Sequence, residues 1–168
     1  ADEMVAHFSD PNGGFFDTRH DHGPLLLRPK EFQDNATPSG NALAALALLQ
    51  VAAYGDRPAY RQPAEKMLSS LQGAITRYPT AFAQWLCAAD FALAPIQEIA
   101  IVGPAASSQP LIDTLWKAYR PHLVAAISPY PPQPGSPALL QHRPLNHGLP
   151  TAYVCQGFVC RQPVTTPA

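Results

Sequence analysis

Side chains able to do chemistry are concentrated in residues 28–41, directly before a strongly apolar stretch. Arg28 and Lys30 carry positive charges that can bind a sugar hydroxyl, a carboxylate or a phosphate. Glu31 and Asp34 carry carboxyl groups that can move a proton if burial raises their pKa. The start of the helix that follows adds donor N–H groups to the same place. The candidate catalytic residues are therefore Glu31 and Asp34, and the candidate binding residues are Arg28, Lys30, Ser39 and Asn41.

The same residues have a structural alternative. Ser39 and Asn41 can cap the apolar helix, and Asp34 can close an Asx-type turn. Arg28 can pair with Glu31 without any ligand. Because caps and turns are the commonest use of these residue types, the structural alternative stays open beside the catalytic one.

Cys155 and Cys160 form a second candidate site. On one extended strand their odd offset puts them on opposite faces, but Gly157 between them can turn the chain and bring them together. The pair then forms a disulfide, or it binds a metal with the nearby His142 and His147. The spacing is neither CxxC nor a usual zinc pattern, so ordinary packing is the third alternative. We predict a redox role for the two cysteines and no metal site.

Other reactive side chains are expected to have ordinary roles. His20, Asp21 and His22 lack the third partner that a zinc site needs, so a solvated turn is predicted. Cys87 lies in FAQWLCAADFAL and is predicted to be a small buried hydrophobic residue. The stretch GPAASSQP lacks both common phosphate-binding glycine motifs, so nucleotide binding is not favoured. No cofactor is expected.

Helices are predicted to position residues 28–41, the polar segment. In residues 42–54 only Gln50 is strongly polar, so this helix must be covered on several sides. Gly55 and Asp56 end it. A half-exposed helix is predicted over about 63–75, and a second mostly apolar helix over about 79–93. Alternation of buried and half-exposed helices is typical of a double-layered helical toroid, of which so few helices can form only a part.

Extended segments are predicted at both ends of the chain. FFDT and LLLR, residues 15–18 and 25–28, are predicted to be strands of a hairpin around RHDHGP. Near the other end, residues 98–103 and 123–127 are short apolar strands on either side of an amphipathic helix at 109–119. This order predicts a parallel βαβ unit. A proline-rich stretch without regular structure and the two cysteine-bearing segments AYVC and FVC follow.

Composition narrows the class of partner. Of the 168 residues, 46% are hydrophobic and only 14% charged, against roughly 25% charged in typical soluble domains. Much of the surface is therefore expected to face other protein. The net charge of −1 gives no reason to propose nucleic acid or an anionic membrane as partner. No apolar run reaches the ~20 residues of a membrane span, and no secretory signal is evident in this sequence. Three cysteines are too few, and odd in number, for a disulfide framework, so a reducing, cytoplasmic setting is predicted.

The order of several motifs resembles one known family. GGFFDT, DH, RPKE, DNATPSGN, YP before an apolar helix, EIAIVG and the closing AYVCQGFVCRQPV occur in that succession. Together they resemble the C-terminal part of the spermatogenesis-associated protein 20 family, and the resemblance covers nearly the whole chain. Proteins of that family combine an N-terminal thioredoxin-like domain with an (α/α)6 toroid similar to N-acylglucosamine 2-epimerases and six-hairpin glycosidases.

The resemblance implies a mainly α chain with a C-terminal α/β portion. Residues 1–95 would be helical hairpins of a partial (α/α)6 toroid, and residues 96–168 a small α/β segment with a βαβ unit, a proline-rich loop and a cysteine-containing tail. In one hypothesis the chain contributes to a carbohydrate-binding cleft but is not catalytically complete alone. In the other it is a non-catalytic interaction or scaffold module of a thioredoxin-linked redox system. Whether it is an enzyme stays open.

The resemblance also implies partners. These are the upstream toroid and the thioredoxin-like domain, supplied by the same protein or by a separate chain. A carbohydrate ligand belongs to the first hypothesis. In the second hypothesis, Cys155 and Cys160 carry the only chemistry of the chain.

Overall fold

A computed structural model describes residues 1–167, which form five α-helices and a four-stranded sheet. By contacts the chain divides into two compact units, one of residues 1–52 and 57–93, the other of residues 53–56 and from 94 onwards. The helical first part and the mixed sheet of the second confirm a mainly α chain with a C-terminal α/β portion. The toroid stays a prediction. The helices are α1 Asp2–Phe8, α2 Gly40–Gly55, α3 Pro58–Arg77, α4 Ala83–Leu93 and α5 Ala105–Trp116.

Helix α2 begins and ends where the sequence predicts. The Ser39 hydroxyl accepts a hydrogen bond from the Ala42 N–H at 3.1 Å, as an N-cap does, and the helix ends at Gly55. One side of α2 is buried, but Leu43 and Val51 on its other side are exposed. The residues that the structure describes therefore do not cover this helix on all sides.

Helix α3 is longer than predicted and begins at Pro58, because proline is tolerated in the first turn, where its missing N–H has no helical partner. Helix α4 follows a short 3-10 helix, Pro79–Ala81. The prediction that Cys87 is buried is wrong, since its side chain is exposed. Trp85 and Phe91 take the buried side of α4. A helix that is apolar all round does not reveal which side will face solvent.

The predicted hairpin of residues 15–18 and 25–28 is wrong. Between α1 and α2 the structure has no strand, only an isolated bridge between Ser9 and Phe15. Leu25, Leu26 and Leu27 are exposed, so this apolar run has no face to bury as a strand. The segment is held instead by backbone hydrogen bonds, such as Phe16 N–H to the Phe8 carbonyl, and by bonds from the Asn41 and Arg28 side chains.

The sheet confirms the predicted βαβ unit. Its strands are β1 Gln97–Val102, β2 Leu123–Ser128, β3 Thr151–Gln156 and β4 Val159–Cys160, in the order β2-β1-β3-β4. Strand β1 is parallel to β2 and antiparallel to β3, and β4 is antiparallel to β3 at the edge. The connecting helix α5 begins at Ala105 rather than Gln109. Ile101 and Ala152 on one face of the sheet pack with Leu111 and Leu115 of α5.

The other face of the sheet carries the second candidate site. Because side chains alternate along a strand, Glu98, Ala100, Tyr153 and Cys155 share this face. A short 3-10 helix, Ala138–Leu140, lies against β1 and β2 and buries two leucines.

Candidate functional site

Asn41, in the first turn of α2, joins Phe15 and Glu31 to the start of this helix. Its side chain is 1% exposed. The Oδ1 atom accepts a hydrogen bond from the Phe15 N–H at 2.7 Å, and Nδ2 donates to the carbonyl oxygens of Phe15 at 2.9 Å and Glu31 at 3.0 Å. The approach is close, because a Cβ atom at Gly14 would lie 3.0 Å from Oδ1 and 2.7 Å from the Phe32 ring. All hydrogen-bonding groups of this amide except one acceptor site are thus occupied within the protein.

Asp34 joins the polar segment to the starts of two helices. Its Oδ1 accepts a hydrogen bond from the Ser39 N–H at 2.8 Å, just before α2. Its Oδ2 accepts one from the Gln84 N–H at 2.8 Å, in the first turn of α4, where a negative charge is stabilising. Each carboxylate oxygen therefore holds a backbone donor, but neither bond is the Asx-type turn of the structural alternative, because the donors lie five and fifty residues away.

The cations of the segment also have partners in the chain. Arg28 donates from Nη2 to the Thr18 carbonyl at 2.7 Å, and its guanidinium lies 4.0 Å from the centre of the Phe16 ring. The Glu31 side chain instead accepts a hydrogen bond from the Gln33 N–H at 3.2 Å. Arg28 and Glu31 form no ion pair, so that part of the structural alternative is wrong.

Lys30 pairs with Asp10. The Lys30 Nζ lies 2.5 Å from Asp10 Oδ2 and 3.0 Å from the Gly13 carbonyl oxygen, to which it donates. The hydrogen bond from Lys30, and then the one from the Asn12 N–H, lower the pKa of Asp10. Because the folded state favours the charged carboxylate, this stabilisation is present above the unfolded-state pKa. It is lost as the pH falls through the lowered folded pKa.

Lys30 and Asn41 border different cavities. Lys30 borders a cavity of about 220 Å³ together with Phe32, Lys66 and Ser70. Asn41 borders a different cavity, of about 390 Å³, that is mostly lined by apolar side chains. Catalytic roles for Glu31 and Asp34, and binding roles for the other four residues, stay predictions.

Cys155 and Cys160 are joined by a disulfide, one of the alternatives that the sequence left open. They are directly paired across β3 and β4. The two residues of the connecting turn, Gly157 and Phe158, have φ of 57° and 62°, the left-handed values of a type I′ hairpin turn. Gly157 therefore turns the chain as predicted. Among residues 1–167 no three His, Cys, Asp or Glu side chains are grouped so as to hold a metal ion.

Two charged residues flank the disulfide at Cys155, which is 2% exposed. Arg143 Nη2 lies 3.8 Å from the Cys155 sulfur. Glu98, which is 4% exposed, pairs with Cys155 in the register of β1 and β3. Glu98 Oε2 accepts a hydrogen bond from the Phe158 N–H at 2.6 Å and so supports the hairpin turn. Neither residue is among the candidate site residues predicted from the sequence. Glu98 is the lone acid in the apolar stretch EIAIVG, which could have drawn attention to it, whereas no sequence pattern points to Arg143.

Residues 20–22 lie at the surface as predicted. Arg19 donates two hydrogen bonds of 2.9 Å to the Asp21 carboxylate. These bonds hold the pKa of Asp21 well below its usual range. The His20 ring stacks on His7, with ring centres 5.0 Å apart.

Across residues 1–167 none of the helices has the length and apolar character that crossing a lipid bilayer demands.

Comparison with known proteins tests the family resemblance that the motifs suggested. No family model matches the chain. It is similar to human spermatogenesis-associated protein 20, with 27% identity over 164 aligned residues, which cover 92% of this chain and 20% of the human protein. The chain thus spans about a fifth of the length of the curated relative that it matches. The resemblance to a C-terminal part of the spermatogenesis-associated protein 20 family, which the order of the motifs predicted, is confirmed.

Proposed function

We propose that the chain is a non-catalytic interaction module of a larger, thioredoxin-linked redox protein, and that its Cys155–Cys160 disulfide exchanges electrons with a dithiol. The pairing of these two cysteines in a hairpin at the sheet edge carries the proposal. In the reducing, cytoplasmic setting expected from the sequence, disulfides are usually transient and serve catalysis or redox sensing. A thioredoxin-like domain, which the family resemblance implies, is a dithiol of the required kind.

The exchange needs no other reactant. One thiolate of the dithiol attacks a sulfur of the cystine, and the other sulfur leaves as a thiolate. The second thiolate of the dithiol then breaks this mixed disulfide and releases the remaining cysteine. Two electrons and two protons pass to Cys155 and Cys160, and the dithiol becomes a disulfide.

The contacts of the polar segment support a non-catalytic reading. Both carboxylate oxygens of Asp34 hold backbone N–H groups. The Asn41 amide and the Lys30 ammonium group bind backbone carbonyls or a carboxylate of the chain itself. Groups used in this way hold the loop to α2 and α4, and a substrate would have to replace hydrogen bonds that are already made.

Reduction of the full chain tests the redox proposal. With Cys87 as the free cysteine and Cys155–Cys160 as the disulfide, we expect one thiol per chain under oxidising conditions and three after treatment with a reduced thioredoxin. Reoxidation should restore the count of one. The double variant Cys155→Ser, Cys160→Ser is the control and should show one thiol throughout. A thiol count in the wild-type chain that is the same under both conditions would contradict the proposal.

A second candidate function is carbohydrate binding in the cavity beside Lys30. This cavity of about 220 Å³ combines the Phe32 ring with the polar groups of Lys30, Lys66 and Ser70. An apolar wall with a few polar groups is the usual make-up of a small-molecule site. The observation favours this cavity, rather than a cleft formed by all six candidate residues, as the place for a sugar.

Thermal unfolding with N-acetylglucosamine tests this second candidate. A sugar at 100 times its Kd should stabilise the chain by about 2.7 kcal/mol and raise its Tm. The Lys66→Met variant, altered only at the rim of the cavity, should lose most of this shift. An unchanged Tm at every sugar concentration, or an equal shift in the variant, would count against binding at this place.

A further inference from the structure

We propose that the disulfide opens with a strong preference for one direction: the partner thiolate attacks Cys160, and Cys155 leaves as a thiolate held by Arg143. The inference rests on the redox function proposed above and assigns different roles to the two cysteines. Arg143 acquires a role in this exchange, because it contacts the sulfur that leaves.

Access to the two sulfurs differs. In disulfide exchange the attacking sulfur approaches along the extension of the S–S bond, behind the sulfur that it attacks. Cys160 lies on β4, the edge strand of the sheet, and is partly exposed. Cys155 is 2% exposed and lies on β3 next to β1, whose Glu98 is paired with it. A protein thiol therefore reaches the Cys160 sulfur more easily than the Cys155 sulfur.

The charges around the two sulfurs differ as well. The Arg143 Nη2 atom is 3.8 Å from the Cys155 sulfur and favours its thiolate over its thiol. The Arg143 guanidinium lies 5.3 Å from the centre of the Tyr153 ring, and its Nε is buried without a hydrogen-bond partner. The cation is thus held beside the sulfur by packing. Since the thiol with the lower pKa leaves faster, the same contact makes Cys155 the better leaving group.

Burial disfavours a thiolate at Cys155, which is 2% exposed, and the contact with Arg143 opposes that cost. Tyr153 donates its hydroxyl hydrogen to the Pro144 carbonyl at 2.6 Å and carries no charge in that state. Glu98 opposes a thiolate at Cys155, but its Oε2 is 2.6 Å from the Phe158 N–H, which takes up part of the negative charge. Arg143 is the charged group in contact with the sulfur itself.

The first step balances without an oxidant or a metal. The bond between the partner sulfur and the Cys160 sulfur forms as the Cys155–Cys160 bond breaks. The electron pair of the broken bond goes to the Cys155 sulfur, where it is the lone pair of a thiolate beside Arg143. The product is a mixed disulfide on Cys160.

A pulse of glutathione, used as the probe thiol, tests the direction. In the full chain carrying Cys87→Ser, which removes the exposed free thiol, the reaction is quenched with acid and the adduct is located by mass spectrometry. We expect at least about tenfold more glutathione on Cys160 than on Cys155, a difference of about 1.4 kcal/mol in activation free energy. Equal labelling, or a preference for Cys155, would overturn the inference while leaving the redox function intact. A disulfide that neither glutathione nor a reduced thioredoxin opens would overturn both.

The role of Arg143 is tested separately in reduced chains that carry Cys87→Ser and Cys160→Ser. Ultraviolet absorbance of the thiolate reports the titration of Cys155 alone. We expect Arg143→Gln to raise the midpoint by about one pH unit, which is tenfold less thiolate at a given pH, and Arg143→Lys to restore part of it. A purely structural role would leave the midpoint unchanged, and that result would overturn the assignment. Circular dichroism checks that each variant is folded.

Discussion

Asn41→Leu is expected to destabilise the helical unit by roughly 2–6 kcal/mol, because two buried backbone groups of Phe15 lose their partner and each unsatisfied group costs roughly 1–3 kcal/mol. Leucine keeps most of the volume, so the effect reports lost hydrogen bonds more than an empty cavity. A loss of this size is a large fraction of the stability of an ordinary domain. Urea unfolding followed by circular dichroism gives the free energy of unfolding.

Asn35→Ala is the matched control for this experiment. Asn35 also accepts a hydrogen bond from a backbone N–H, that of Ala36, but it is exposed, so water can replace the bond. The control should change the free energy of unfolding by less than about 0.5 kcal/mol. If Asn41→Leu and Asn35→Ala had equal, small effects, Asn41 would not hold the polar segment together, and its amide would be free to serve a ligand.

The isolated chain is expected to self-associate through apolar side chains of its helices. Leu43 and Val51 of α2 and Leu86 and Leu93 of α4 are exposed. Exposed apolar surface of this kind usually marks an interface or a site of aggregation. Light scattering should give a mass above that of one chain, and addition of a separately made upstream segment, the toroid part that the family resemblance implies, should lower the association. The double variant Leu43→Lys, Leu93→Lys should shift the mass towards that of one chain.

Leu26→Lys is the control for the association experiment. Leu26 is also exposed, but it lies in the loop between α1 and α2 and not on a helix. Its replacement should leave the mass unchanged if the helix faces cause the association. A wild-type chain that is a well-behaved monomer at all concentrations would show that it is self-sufficient, and the toroid partner implied by the resemblance would then be unnecessary.

Local signals in the sequence predicted the regular elements well. Helix α2 was placed by the Ser39 cap and by Gly55, and the βαβ unit by two short apolar runs around an amphipathic helix. Residues 15–28 were wrongly predicted to be a hairpin. The bonds that shape the polar segment join residues far apart in the chain, such as Asn41 to Phe15 and Asp34 to Gln84. No pattern of neighbouring residues carries that information.

The candidate sites were predictable to different degrees. Gly157 made a disulfide between Cys155 and Cys160 one of the sequence alternatives, because a turn residue lies between them. The environment of that disulfide was not predictable. Glu98 reaches it through the register of β1 against β3, and Arg143 through an irregular loop. Registers and loop paths are set by the packed fold, so the residue types alone could not reveal them.

The strand order has a consequence for synthesis on the ribosome. Strand β1 lies between β2 and β3, and its Val102 pairs with Thr151, far downstream. Until the ribosome has synthesised β3, one edge of β1 has no hydrogen-bonding neighbour, even if the βαβ unit has already formed. An apolar strand with an open edge can pair with another chain, so this interval is when the nascent protein would depend most on a chaperone. The arrival of β3 and its cysteine hairpin closes that edge.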